Sequence, residues 1–265
     1  MKDRQRTFRV EGVVLRHLDW GEADRLVMLF ARDRGKLQAL AKGVRKARSR
    51  KAGHLEPFNR VSLLLARGRD LPLITQAETL TSYPVFHEDL LRMGYGAYVL
   101  ELIDRFAVEG EANVALYQLL VETLERLGCS SEPFFELRYF EVKLLDQVGF
   151  RPEFFRCVVC NESIQPRDQF FSCELGGAVC PNCAVGQRAL RPVSMQALKY
   201  LRHFQRSSYV EARRAKIPLP ILEEMESLLG LYVQTLLERN LNTLQFIRSI
   251  SQLSRLQVTP PTKDS

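Results

Sequence analysis

At Tyr83-Pro84 the apolar pattern of this chain changes period, and that change constrains what it can fold into. Before it, apolar residues fall in short runs or alternate, as in strands; after it they recur at three- and four-residue steps, as in amphipathic helices. A chain of 265 residues that makes this switch reads as α+β and multidomain, strands first and helices afterwards. The strand-length runs are Val10 to Leu18, Leu26 to Phe30, Lys36 to Lys42, Arg60 to Ala66 and Leu73 to Thr79. Asp33-Arg34-Gly35 joins the second to the third tightly, and Gly68 to Pro72 joins the fourth to the fifth. Five short strands with the longest gap after the third match an OB-type β-barrel, whose helix usually sits in that gap. A small SH3-like barrel and an open meander are the alternatives. The barrel is expected over residues 1–81, with Phe8, Phe30 and Phe58 in its core.

The remainder, 82–265, reads as an all-α domain. Leu90, Leu91, Gly94, Ala97, Tyr98, Leu102 and Phe106 share one helical face, and Leu116, Leu119, Leu120, Thr123, Leu124 and Leu127 share another. A third helix is expected from about Pro133 to Val148, with Ser130 or Ser131 as N-cap and Gly149 as the stop. Ser194 is placed to cap a helix through Arg206, and Ile221 to Asn240 forms another. The polar tail 259–265, with Pro260-Pro261, reads as disordered. No apolar run approaches the roughly 20 residues needed to span a bilayer, and no apolar signal core follows Met1 to Arg6, which points to the cytoplasm.

In that reducing setting the six cysteines are expected to be free or metal-bound. Cys157-Val-Val-Cys160 and Cys180-Pro-Asn-Cys183 enclose 19 residues, the spacing of a structural zinc site. Each C-x-x-C turn converges two thiolates on one metal, and two such knuckles complete a tetrahedron. Gly176-Gly177 supplies the turn that returns the chain to the second knuckle, so 153–190 reads as a zinc module inserted in the helical domain. Iron in a rubredoxin-like site and a redox dithiol are rivals. Cys173 reads as a bystander able to replace a ligand, and Cys129 as an ordinary half-buried thiol.

The charge is local. Between Arg32 and Lys51 nine basic residues face one acid, a balance of +8 in a chain whose net charge is +7. A concentrated positive patch wants a concentrated anion, and nucleic-acid backbone is the commonest. Lys36, Gln38 and Lys42 share parity on the expected third strand, the usual OB binding face. Arg45, Lys46, Arg48, Arg50 and Lys51 then fall in the following connection, and Arg67 and Arg69 in the loop between strands four and five. A solvated arm or a nuclear-type targeting signal is the bland alternative for 45–51. Trp20 could stack on a base, although a packing role is the commoner one.

Enzyme signals are absent. The chain has no phosphate-binding glycine loop, no H-E-x-x-H and no nucleophile elbow, and its four histidines lie far apart. Glu22 and Asp24 could hold magnesium for a nuclease, but read better as solvated loop residues.

Several segments, in order, resemble one family. Gly21-Glu22-Ala23-Asp24-Arg25, Gly35-Lys36, Ala41-Lys42-Gly43-Val44-Arg45-Lys46, Ser49-Arg50, Leu55-Glu56-Pro57-Phe58 and Gln76-Ala77-Glu78 are similar to the N-terminal domain of the RecO recombination mediators. Gly149-Phe150-x-Pro152, the two knuckles and Gly176-Gly177 resemble the same family's zinc module. The resemblance implies an OB domain, a helical domain and structural Zn2+, with no enzymatic cofactor. It implies binding of single- and double-stranded DNA, annealing of strands coated by single-strand-binding protein, and loading of recombinase RecA with RecR, in the pathway of RecF. Carried over by position, the DNA-contact candidates are Lys36, Lys42, Arg45, Lys46, Arg48, Arg50 and Lys51. Such a protein is not an enzyme and works on the nucleoid in the cytoplasm. The alternatives are a zinc-containing nucleic-acid-processing enzyme and an RNA-binding factor.

Overall fold

The computed structural model describes residues 7–238 together with Leu241, Thr243, Ile247 and Ile250; the expected tail 259–265 and Asn240 lie outside these. Strands β1 (Thr7–Trp20), β2 (Asp24–Ala31), β3 (Gly35–Ala41), β4 (Arg60–Ala66) and β5 (Leu73–Thr81) close into a barrel in the order β1-β2-β3-β5-β4. β3 and β5 pair in parallel at Leu40 and Leu73, and the other pairs are antiparallel. This is the OB arrangement. A single 3-10 turn, Gly53–Leu55, stands in the β3–β4 gap where a helix was expected.

The barrel interior is lined by Val10, Val14, Val27, Leu29, Ala39, Leu63, Leu65 and Ile74. β1 holds it together by pairing with β4 through Thr7–Val13 and with β2 through Gly12–Trp20. The two ladders overlap at Gly12 and Val13, and a Cβ on Gly12 would lie 3.0 Å from the Phe30 carbonyl oxygen. Two residues later the register slips: Val14 pairs with Leu29 but Arg16 with Met28, so Leu15 is an extra residue. A bulge of this kind reverses the alternation of everything beyond it. Val10 and Val14 face the core, whereas Arg16, Leu18 and Trp20 face out.

Helices α1 (Val85–Glu88), α2 (Leu90–Phe106) and α3 (Val114–Cys129) follow. The strand-to-helix change therefore falls where the periodicity put it. By packing, the chain divides into one unit of Met1–Cys129 with Asn242–Ser265 and a second of Ser130–Leu241, so these helices group with the barrel. Asp89 caps α2 by accepting from the Leu91 and Arg92 amides at 2.9 and 3.1 Å. Phe30, on the outer face of β2 and fully buried, meets the Tyr117 ring at 6.4 Å. Tyr117 donates to Glu11 on β1, which also pairs with Arg60 on β4. Phe58 packs on Phe86 at 4.9 Å, and Phe8 is half-buried against the barrel core.

The second unit contains α4 (Pro133–Gln147), β6 (Gln169–Ser172), β7 (Gly177–Val179), α5 (Pro181–Ala184), β8 (Leu190–Val193), α6 (Met195–Arg206), α7 (Tyr209–Ala212) and α8 (Leu219–Leu237). The N-cap position of α4 is Glu132, whose side chain makes no capping bond, and not Ser130 or Ser131; the Ser130 hydroxyl instead accepts the Glu132 amide at 3.1 Å. Its stop is as expected: Gly149 takes φ +83°, and the Phe150 amide returns to the Leu145 carbonyl at 2.8 Å. Ser194 caps α6 by accepting from Ala197. Arg138, buried on α4, pairs with Glu141 at 2.8 Å and with Glu226 of α8 at 3.3 Å. Among the described residues no helix is long and apolar enough to cross a membrane.

Gly35, in the β2–β3 turn, has φ +64° and backs onto the Glu111 carbonyl, 1.9 Å from where a Cβ would sit. Gly35→Ala is expected to lose about 2–4 kcal/mol of stability in urea unfolding. Gly53→Ala, which meets open space, should change it by less than about 0.5 kcal/mol.

Candidate nucleic-acid interface and metal centre

Three connections meet at one end of the barrel. The β1–β2 turn touches the β3–β4 connection through Arg45 N–H to Ala23 O at 2.9 Å and Gly43 N–H to Asp24 Oδ1 at 2.7 Å. The β4–β5 loop joins through Leu40 N–H to Pro72 O at 2.8 Å. Asp24 is thus a half-buried acceptor at the start of β2 and not a solvated loop residue, because its carboxylate takes the Gly43 amide, while Glu22 is exposed in the turn as expected. The β3–β4 connection is no free arm, because Val44 and Leu55 are buried in the barrel core.

The nine expected contact residues separate by what their side chains already hold. Lys36 faces outward on β3 as parity required, but its ammonium donates to the Asp104 carbonyl at 2.6 Å and lies 3.6 Å from the Asp104 carboxylate. Arg16 reaches the same carboxylate at 2.9 Å. α2 and α3 cover this part of the outer face because Met28 and Phe30 there need burial. Lys42 follows the end of β3 and lies in the turn, not on the strand. Arg45 donates to the Gly21 and Glu22 carbonyls at 3.4 and 3.3 Å and pairs with Asp19 at 3.4 Å. Lys51 donates to Ile74 O at 2.9 Å and Lys42 O at 3.3 Å, tying β5 to the connection.

Lys42, Lys46, Arg48, Arg50, Arg67 and Arg69 are exposed, and their side chains make no hydrogen bond or ion pair with a described residue. Arg32 and Arg34 lie at the other end of β2 and β3, about 20 Å away along a seven-residue strand, with Arg34 stacked over Phe8 at 4.5 Å. Trp20, expected to pack, is 55% exposed at the end of β1. The bulge at Leu15 put it there, and no residue type in β1 announces that bulge.

The sulfur atoms of Cys157, Cys160, Cys180 and Cys183 all lie within 4.8 Å of one another, and Cys160 and Cys180 are 3.9 Å apart. Tetrahedral thiolates around one ion of zinc size would be about 3.8 Å apart, so the four could hold a metal ion. Cys160 precedes Asn161, whose φ of +62° turns the first knuckle; Cys180 opens α5 and Cys183 lies within it. Gly176, at φ +69°, returns β6 to β7, and a Cβ on Gly177 would stand 2.4 Å from Val158. Burial pushes the Cys157 thiol up, but the backbone amides of Cys160, Cys180 and Val159 overcome this and hold it at about 6. Cys183, hydrogen-bonded among the Cys180 and Cys160 thiols, is pushed up to about 12. Thiols crowded so closely resist ionising together unless a cation joins them. Cys173 is buried outside the cluster, and Cys129 is exposed at the end of α3, not half-buried.

The family model described as "Recombination protein O N terminal" matches residues 3–83, and "Recombination protein O C terminal" matches 87–245. "DNA repair protein RecO" of Roseiflexus sp. (strain RS-1) is 36% identical over 252 residues, 95% of this chain and 89% of that one. Its namesake in Dehalococcoides mccartyi (strain CBDB1) is 36% identical over 243 residues, 92% and 96% of the two chains. That of Symbiobacterium thermophilum is 34% identical over 247 residues, covering 92% and 97%.

Elemental analysis should find one metal ion per chain, lost in Cys157→Ser and kept in Cys173→Ser. Because protons compete for thiolates, metal affinity should fall as pH falls, and chelation should lower the thermal midpoint of the intact chain.

Proposed function

Because the chain belongs to the RecO family, we propose that it is a DNA repair and recombination mediator of the RecF pathway. It binds single- and double-stranded DNA and anneals complementary strands coated by single-strand-binding protein. With RecR it helps load the recombinase RecA, working in the cytoplasm on the nucleoid, and it is not an enzyme. The observation that carries this reading is the convergence at one barrel end of six exposed cations, Lys42, Lys46, Arg48, Arg50, Arg67 and Arg69.

Cations there lower the repulsion between two phosphate backbones, which lets strands meet without ATP. Lys36, Arg45 and Lys51 act differently from the other six: Lys36 ties β3 to α2, Arg45 and Lys51 hold the loop end in place, and all three contribute field more than contact. The four clustered thiolates support structural Zn2+. Such a site has no open position for water, so the ion braces the segment between Glu153 and Leu190.

If about four to six phosphates of a single strand are neutralised, log affinity should fall against log salt with a slope of roughly −3 to −4. Reversing Lys42, Lys46, Arg48 and Arg50 to Glu should flatten that slope and abolish ATP-free annealing of coated strands. Annealing at the wild-type rate in that variant would move the site elsewhere, and new DNA ends in the presence of magnesium would make the protein an enzyme.

A further inference from the structure

We propose that Trp20, with Leu18 beside it on the outer face of β1, is a stacking platform for an unpaired base. The phosphates of that single strand lie on the loop-end cations. This deepens the function proposed above and rests on it.

Trp20 and Leu18 are 55% and 49% exposed, and Trp20 makes no ring or cation contact with a described residue. Single exposed apolar side chains are ordinary, so exposure alone assigns nothing. The position of this one is what matters. The bulge at Leu15 turns residues 16–20 outward; without it, Trp20 would share parity with Val10 and Val14 and point into the barrel. At the covered end of the same row, Arg16 is tied to Asp104 of α2; Leu18 and Trp20 continue the row beyond that cover. Trp20 pairs across the ladder with Asp24, whose carboxylate receives the Gly43 amide at 2.7 Å. The indole therefore stands beside the turn that begins with the exposed Lys42. An open aromatic face next to cations with no partner among the described residues complements a polyanion that carries free π-faces. Single-stranded DNA has such faces, whereas duplex bases are already stacked on both sides.

The chain has one tryptophan, so its emission reports this site alone. The full-length protein is titrated with oligothymidylate, with an abasic strand of equal length and with a duplex, and anisotropy of end-labelled DNA is followed in parallel. Oligothymidylate should quench the emission and the abasic strand should bind without quenching. Trp20→Ala should weaken oligothymidylate binding roughly ten-fold, with abasic and duplex binding unchanged, and Trp20→Phe should recover most of the loss. Oligothymidylate that binds without quenching, and equally well to Trp20→Ala, would overturn the platform and leave the DNA-binding function standing. If no strand binds at any salt concentration, that function falls and the platform with it.

Discussion

The first unit is organised by β1, one strand that serves two ladders. Its first half closes the barrel against β4 and its second half carries β2, with Gly12 at the overlap because a side chain would press on the Phe30 carbonyl. Closure removes sheet edges that would otherwise be open to pairing with other chains. It also brings the starts of β2 and β5 and the ends of β3 and β4 together, and their connections form the cationic end. The bulge in the same strand sets which side chains that end displays.

Around this barrel the outer face is divided. Toward the β2–β3 turn it is covered, since Phe30 and Met28 are buried there and Lys36, Arg16 and Glu11 are engaged by Asp104 and Tyr117. Toward the loop end Leu18 and Trp20 are exposed. In the second unit the organising groups are different: a buried Arg138 shared by two glutamates, and four sulfur atoms gathered within a metal's reach.

The sequence was most legible where the controlling physics is local. Alternation and turn residues located all five strands, β4 with its observed bounds, and β1 only as its central part, because Thr7 and Trp20 extend the ladder without adding to the apolar pattern. Knuckle spacing located the four thiols, since each C-x-x-C turn carries its own geometry. What could not be read was set at a distance. Whether a cation is free or engaged depends on groups such as Asp104, 68 residues from Lys36, or Ile74, 23 from Lys51. The bulge at Leu15 is likewise a property of the pairing with β2, not of β1 itself.

Arg45 and Lys51 bear on how the surface proposed above would meet a polyanion. Their donors are bound to the carbonyls of Gly21, Glu22, Lys42 and Ile74, so the β1–β2 turn, the β3–β4 connection and the start of β5 are stitched together by the fold itself. The conformational entropy of the loops is surrendered when the barrel folds, not when a polyanion lands. The backbone that carries the exposed cations is therefore set in advance of the strand binding proposed above, while their side chains keep their freedom.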